Sequence, residues 1–284
     1  DLHLLSRRQR QMCIRDRVNR EDEMTYGDKV LDLSGGFEIE FKNVSFKYPG
    51  AENYALQNVN LKIKNGEHLA VVGRNGSGKT TFIKLMCRLY DVTDGEILIN
   101  GINIKDYTKD SIIKLYSVVF QDFKIFSVSL KDNICANSDF ESDRFYACLE
   151  NADIKERTEH MPNKENTYLY KDLDENGVEI SGGEAQKLAL ARALYKDAPI
   201  VVLDEPTAAL DPIAENEIYS RFNTFVQGKT AIYISHRLSS CAFCDKIAVF
   251  NNAKLAETGT HKDLLSAGGK YAELWNAQAK YYIQ

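Results

Sequence analysis

The sequence predicts an α/β protein, a doubly wound core that opens on antiparallel strands and is interrupted by an all-helical block. Three observations carry that expectation. Short apolar runs, "HLAVVG", "IVVLD" and "TAIYIS", alternate with stretches of helical period. From Phe37, "FEIEFKNVSFKY" alternates Phe37, Ile39 and Phe41 with Glu38, Glu40 and Lys42, the period of a half-buried strand. Residues 122–198 carry helical patterns such as "SDRFYACLENA" and little strand pattern.

Taken in order, the first 17 residues, "DLHLLSRRQRQMCIRDR", hold five arginines and have no clean period. From Arg7 through Arg17 they resemble, codon by codon, the translation of a transposase-type sequencing adapter. The expectation is that residues 1–17 are an adapter-translation artefact and that the natural chain extends further upstream. Residues 18–36, rich in charge and ending in Gly35-Gly36, read as a linker.

Two strands, "FEIEFKNVSFKY" and "VNLKI", come next; Asn65-Gly66 is a tight-turn signal before the buried strand "HLAVVG". "GKTTFIKLMCRLY" is helical, and "GEILING" and "YSVVFQ" are short strands. After the helical block, strand pattern returns at "PIVVLDEP". A helix from about Pro212, the strand "TAIYIS", the pair "KIAVFN" and "KLAETG", and the tail "GGKYAELWNAQAKYYIQ" complete the chain.

Composition narrows the function. The 284 residues are 44% hydrophobic and 27% charged, ordinary for a globular chain. A formal net charge of -5 argues against nucleic acid as a partner, since that needs a basic face. Six cysteines without regular spacing suit a reducing compartment. No apolar run approaches the roughly 18 residues that a spanning helix needs.

The chemistry lies in three short segments. "GRNGSGKT", comprising Gly73, Arg74, Asn75, Gly76, Ser77, Gly78, Lys79 and Thr80, fits G-x-x-x-x-G-K-S/T between a buried strand and a helix. Glycines let backbone amides curl around anionic oxygens, Lys79 offers an ammonium, and the Thr80 hydroxyl can ligate magnesium. "IVVLDEP" delivers Asp204, a candidate magnesium ligand, to the carboxyl end of a strand, where α/β sheets place ligands. Glu205 follows, placed to orient an attacking water and accept its proton. Adjacent acids after a strand are by themselves usually a solvated turn; their pairing with residues 73–80 gives them weight. The third segment, "EISGGEAQKLALARAL", sets Ser181, Gly182, Gly183 and Glu184 at the head of a strong helix, a second anion cradle.

Together these residues resemble the nucleotide-binding domain of an ABC transporter, over about residues 37–281. The family's L-S-G-G-Q signature stands here as Ile180-Ser181-Gly182-Gly183-Glu184. The resemblance implies a P-loop NTPase (RecA-like) core, an antiparallel β subdomain, and an inserted all-helical subdomain at about residues 122–198. It implies ATP and Mg2+ as cofactors and a second nucleotide-binding domain as partner. The first cradle would serve the chain's own ATP and the second its partner's. By the same resemblance, Tyr48 stacks on adenine and Thr81 adds a phosphate contact. Gln121 reaches magnesium and the attacking water, Asp211 communicates between sites, and His236 contacts the γ-phosphate. Metal ligation falls to Thr80, Gln121 and Asp204, and catalysis to Glu205, His236 and Gln121.

Glu184 departs from the family's Gln and puts a negative charge near another subunit's triphosphate, unless it turns to solvent or to a nearby Lys. Ile180 replaces Leu, and Lys187 stands where Arg is frequent. "RLYDVTDGEILING" and "ISHRLSS" resemble the exporter branch, whose chains fuse a membrane domain upstream of this module. The expected location is then the cytoplasmic face of the cell membrane. The alternatives are a freestanding ATPase subunit of an importer and a soluble non-transport ABC ATPase.

Overall fold

The computed structural model describes residues 24–136, 138–204, 226, 228–235, 238 and 242–282. The expected helix from about Pro212, and Glu205, Asp211 and His236, lie outside the described residues. The first strands are β1 (Glu38–Phe46), β2 (Leu56–Lys64), β3 (His68–Gly73), β4 (Asp94–Ile99) and β5 (Ile102–Asn103). They are followed by β6 (Tyr116–Val119), β7 (Ile200–Asp204), β8 (Thr230–Ile234), β9 (Lys246–Asn251) and β10 (Lys254–Gly259). These make two sheets, an antiparallel one in the order β2-β1-β4-β5 and a second in the order β10-β9-β3-β8-β7-β6. In the second sheet every pairing is parallel except that of β10 with β9.

The predicted alternation in β1 holds through Ile39 and Phe41, then slips by one residue before Val44 and Phe46, which are buried again. Asn43, in the left-handed region at φ 51°, absorbs the extra residue. β2 slips in the same way between Leu56 and Val59, with Asn58 at φ 48°. These bulges bend the strand pair without turning an apolar side chain outward. The turn at Asn65-Gly66 hands the chain from one sheet to the other, so it closes no hairpin.

Buried strands of the second sheet are apolar on both faces, as a parallel sheet covered on both sides requires. Leu69, Val71, Ile200, Val202, Ile232 and Ile234 face one core, which contains the first sheet and helix α1 (Lys79–Met86). There Phe82 meets Phe41 at 4.5 Å and Phe250 at 5.3 Å between ring centroids. α2 (Lys109–Leu115), capped by the Thr108 side chain, packs Ile112 and Leu115 into the same core. Ala70, Val72, Val201, Leu203, Ala231 and Tyr233 face the opposite core.

That opposite core is closed by α3 (Leu130–Cys135), α4 (Ser142–Asn151), α5 (Lys155–Glu159) and α6 (Gly182–Lys196). Between residues 122 and 198 the β pairing consists of isolated bridges, Ser129 with Tyr168 and Leu169 with Val178, among the described residues. Arg192 of α6 ties the block together: Nε donates to Asn133 O at 2.7 Å, and another guanidinium nitrogen donates to Lys124 O at 3.0 Å. α7 (His261–Ala267) and α8 (Lys270–Tyr282) follow β10. The carboxylate of Glu257 accepts from the amides of Lys270 and Tyr271 at 2.6 and 3.1 Å, holding the α8 N-terminus.

The second half of the expected linker is docked on the domain. Gly27 N donates to Lys105 O at 2.9 Å, and Lys29 N to Asp106 O at 3.1 Å. A Cβ at Gly27 would lie 2.1 Å from Asp106 O, so this approach needs glycine. Arg88, whose side chain is 0% exposed, sits beneath it. Its guanidinium donates to the carbonyls of Thr25 and, at 3.3 Å, Ile104, pairs with Asp91 at 3.3 Å, and lies 4.2 Å from the Tyr26 ring centroid.

Candidate functional site

β7 and β8 end level, Asp204 opposite Ile234, and β3, whose Val71 pairs with Ile234, runs two residues further to Gly73 at the same carboxyl edge. The phosphate loop leaves this edge directly from β3. Gly73, Gly76 and Gly78 take φ of 150°, 73° and 108°, values that L side chains rarely adopt. A Cβ at Gly73 would sit 2.3 Å from Phe250 O, and one at Gly78 would sit 2.6 Å from Leu56 Cδ2. These two glycines therefore let the loop pack tightly under its cavity. α1 begins at Lys79 with no side chain capping it, which leaves its first amides directed at the loop. Lys79 is buried and its Nζ donates to Gly73 O at 3.0 Å and Arg74 O at 3.3 Å. The buried Ser77 Oγ has no hydrogen-bond partner among the described residues.

A cavity of about 270 Å³ opens on this loop, lined by Tyr48, Ala55, Gly76, Gly78, Lys79, Thr80 and Thr81. Tyr48 is thus brought to the phosphate loop from the end of β1, 25 residues upstream of Gly73. Its hydroxyl lies 3.1 Å from Thr81 Oγ1, and its ring is held edge-on by Phe46 and Tyr90 at 4.9 and 5.3 Å. Arg74 and Asn75 line the other side of the loop, where a cavity of about 350 Å³ reaches Asn251 and Lys270.

Asp204 ends β7 at 1% exposure. Beside it, β6 pairs in parallel with β7, Val119 opposite Leu203. The exposed Gln121, two residues past Val119, therefore leaves the same carboxyl edge as Asp204. A buried carboxylate, a threonine at the head of α1 and a buried Ser77 hydroxyl beside Gly73 with no partner among the described residues form a donor set that fits a metal-bound triphosphate.

The second cradle is the N-terminus of α6. Ser181 is its N-cap, its Oγ accepting from Glu184 N at 3.2 Å while Glu184 Oε2 accepts from Ser181 N at 2.7 Å. This reciprocal pair is a capping box. Ser181 and Gly182 are exposed, and a Cβ at Gly182 would meet nothing within 4 Å among the described residues, so this end is open with respect to them. Glu184 does not turn to a lysine. Its Oε1 accepts from Arg157 Nε at 2.7 Å, while Lys187 pairs with Asp153 at 2.7 Å. The Ser181 amide first, and Arg157 with it, hold the Glu184 carboxyl below the usual range.

A family model described as ABC transporter matches residues 56–208, spanning the phosphate loop, the α6 cradle and Asp204. This chain belongs to the ABC transporter family. The ATP-dependent lipid A-core flippase of Idiomarina loihiensis is 39% identical over 258 residues, which is 90% of this chain and 44% of the flippase. That of Escherichia coli is 38% identical over 261 residues, 92% of this chain and 44% of the flippase. A bacterial Atm1-family ABC exporter solved with ATP bound superposes with a TM-score of 0.84 at 32% identity, covering 98% of this chain and 49% of that one. The chain thus spans under half the length of these relatives. It is an ABC ATPase domain of exporter type, which binds ATP. Among the described residues no helix is long and apolar enough to cross a membrane.

The ABC signature and phosphate loop were legible from spacing, but Ala55, Arg88 and Arg157 were not. Ala55 lines the cavity on the phosphate loop because the start of β2 passes under Gly78. A lone Arg in a charged helix carries no positional signal, so nothing in the sequence pairs Arg157 with Glu184, 27 residues away.

Proposed function

We propose that this chain is the motor of an ABC exporter, with a membrane-spanning domain as its partner at the cytoplasmic face of the cell membrane. Two ATPase domains sandwich ATP head to tail, each supplying half of both reaction centres. The observation that carries this reading is the second cradle: an exposed, capped helix start that no described side chain fills, on a chain that already has a complete phosphate loop.

Residues 73–81 hold the chain's own triphosphate, with Lys79 exchanging the Gly73 and Arg74 carbonyls for phosphate oxygens and Tyr48 beside the adenine. Thr80, Asp204 and Gln121 would hold Mg2+, which supplies charge neutralisation on the phosphates. Glu205 orients the attacking water and takes its proton, and His236 contacts the γ-phosphate. Ser181, Gly182 and Gly183 complete the centre on the partner, and Asp211 links the two centres. The domain divides as the sequence divides it, with the helical block at about residues 122–198 carrying the second cradle. Closure on ATP and reopening after hydrolysis then drive alternating access in the membrane.

Glu205→Gln tests the assignment. ATP still binds, turnover falls by about 10²-fold or more, as loss of a general base does, and dimer accumulates with ATP in light scattering. Turnover near the parent's, or a monomer throughout, defeats the proposal.

A further inference from the structure

We propose that Arg157 is a positioning residue for the signature cradle: it neutralises Glu184 and fixes the start of α6, so that an acidic signature still accepts a second domain's triphosphate. The proposal rests on the head-to-tail reading above.

A carboxylate in the first turn of a helix suits that helix, because it faces the positive end of the dipole. It does not suit a site built for an anion, where an unpaired charge repels the ligand. Glu184 stands in both roles, at the third position of α6 and beside the exposed Ser181 and Gly182. The structure resolves the conflict by engaging both carboxylate oxygens, Oε2 with the Ser181 amide and Oε1 with Arg157 Nε, each at 2.7 Å. The amides of Gly182 and Gly183 have no intrahelical acceptor, by the geometry of any helix start, and remain for phosphate.

The partner is held in place independently. Arg157 rides on the single turn of α5, which is tied to α4 by one ion pair, while the turn that leads into it is tied to α6 by another. Lys155 binds Glu150 at 3.0 Å, and Lys187 of α6 binds Asp153 through both its carboxylate at 2.7 Å and its carbonyl at 3.0 Å. Around Arg157 lie Glu156 and Glu159, which with Glu150, Asp153, Lys155 and Lys187 line a groove of about 550 Å³. With Lys155 and Lys187 committed to Glu150 and Asp153, Glu184 falls to Arg157. The pair is partly solvated, Arg157 at 42% and Glu184 at 25% side-chain exposure. Such a pair adds little to folding, so its consequence lies in the charge presented to the ligand.

The test measures ATP turnover of the purified chain against ATP concentration, for the parent, Arg157→Ala, Arg157→Lys, Glu184→Gln, the double variant and Ser181→Ala. The expected result is that Arg157→Ala raises the ATP concentration for half-maximal turnover about fivefold, the scale of one unit charge across partly solvated surface. The effect shrinks as salt rises from 50 to 500 mM, about as screening predicts, and Arg157→Lys retains most of the parent's response. In the Glu184→Gln chain, Arg157→Ala has an effect below about twofold, the resolution of a double-mutant cycle. Equal losses in both backgrounds would mean that Arg157 only supports the fold, and the proposal is overturned. If Arg157→Ala is silent while Ser181→Ala abolishes turnover, Arg157 is irrelevant although the head-to-tail reading stands. If Ser181→Ala is silent too, the head-to-tail reading itself has failed.

Discussion

Replacing Arg88 by Ala removes a side chain that is fully buried between α1, the turn after β5 and residues 25–27. Three kinds of contact vanish at once: the ion pair with Asp91, hydrogen bonds to the carbonyls of Thr25, Ile104 and Lys105, and the stack on Tyr26. Hydrogen bonds to a charged donor are worth about 1.5–3 kcal/mol each and are not additive. Breaking a buried ionic network by deleting one member costs about 3–5 kcal/mol. Asp91 keeps Lys105 at 3.6 Å and is 30% exposed, which softens the loss, so about 3 kcal/mol is expected. For a domain of this size that lowers Tm by roughly 6–12 °C. Arg88→Lys restores a charge for Asp91 but not the planar fork or the stack, and recovers under half of the loss. Urea titration of the three chains gives the free energies, and amide hydrogen exchange at Gly27 and Lys29 reports the docked segment, whose protection is expected to collapse. A loss below about 1 kcal/mol, the level of a surface pair, or unchanged exchange at those amides, would refute the claim that Arg88 fastens residues 25–29 to the domain.

Two further outcomes follow from single sites. Gly78→Ala forces a side chain into a φ of 108° and against Leu56 Cδ2 at 2.6 Å. It should cost about 2 kcal/mol or more through strain and overpacking and lower ATP affinity in calorimetry at least tenfold; ordinary binding would show that the loop does not need this glycine. Burial pushes the Cys148 thiol up to about 11 from an ordinary 9.0, so the folded chain holds this proton more tightly than the unfolded one. Its contribution is therefore intact below pH 9 and is lost as pH rises from there through 11. The parent should lose about 2 kcal/mol more than Cys148→Ala between pH 8 and pH 11, and parallel pH profiles in denaturant would disprove it.

What the sequence determined was local. The phosphate loop spans eight consecutive residues whose backbone geometry is dictated by three glycines, and the buried strands announce themselves by apolar runs. The start of α6 was equally plain, because a capping box closes within four residues. Strand partnership was not: β4 leaves the P-loop helix to join β1 in the other sheet, a choice made by packing and loop closure between segments some fifty residues apart. The bulges at Asn43 and Asn58 were equally hidden, since they depend on two strands slipping together. The same holds for charges. Arg88 reads as one more cation in a helix tail, and only the tertiary structure buries it under Tyr26. Glu184 reads as a charge pointing at a partner's ATP, and only the placement of α5 against α6 gives it Arg157. Periodicity fixes which face of an element is apolar, but long side chains choose their partners by where the folded backbone brings them, and that information exists only in three dimensions.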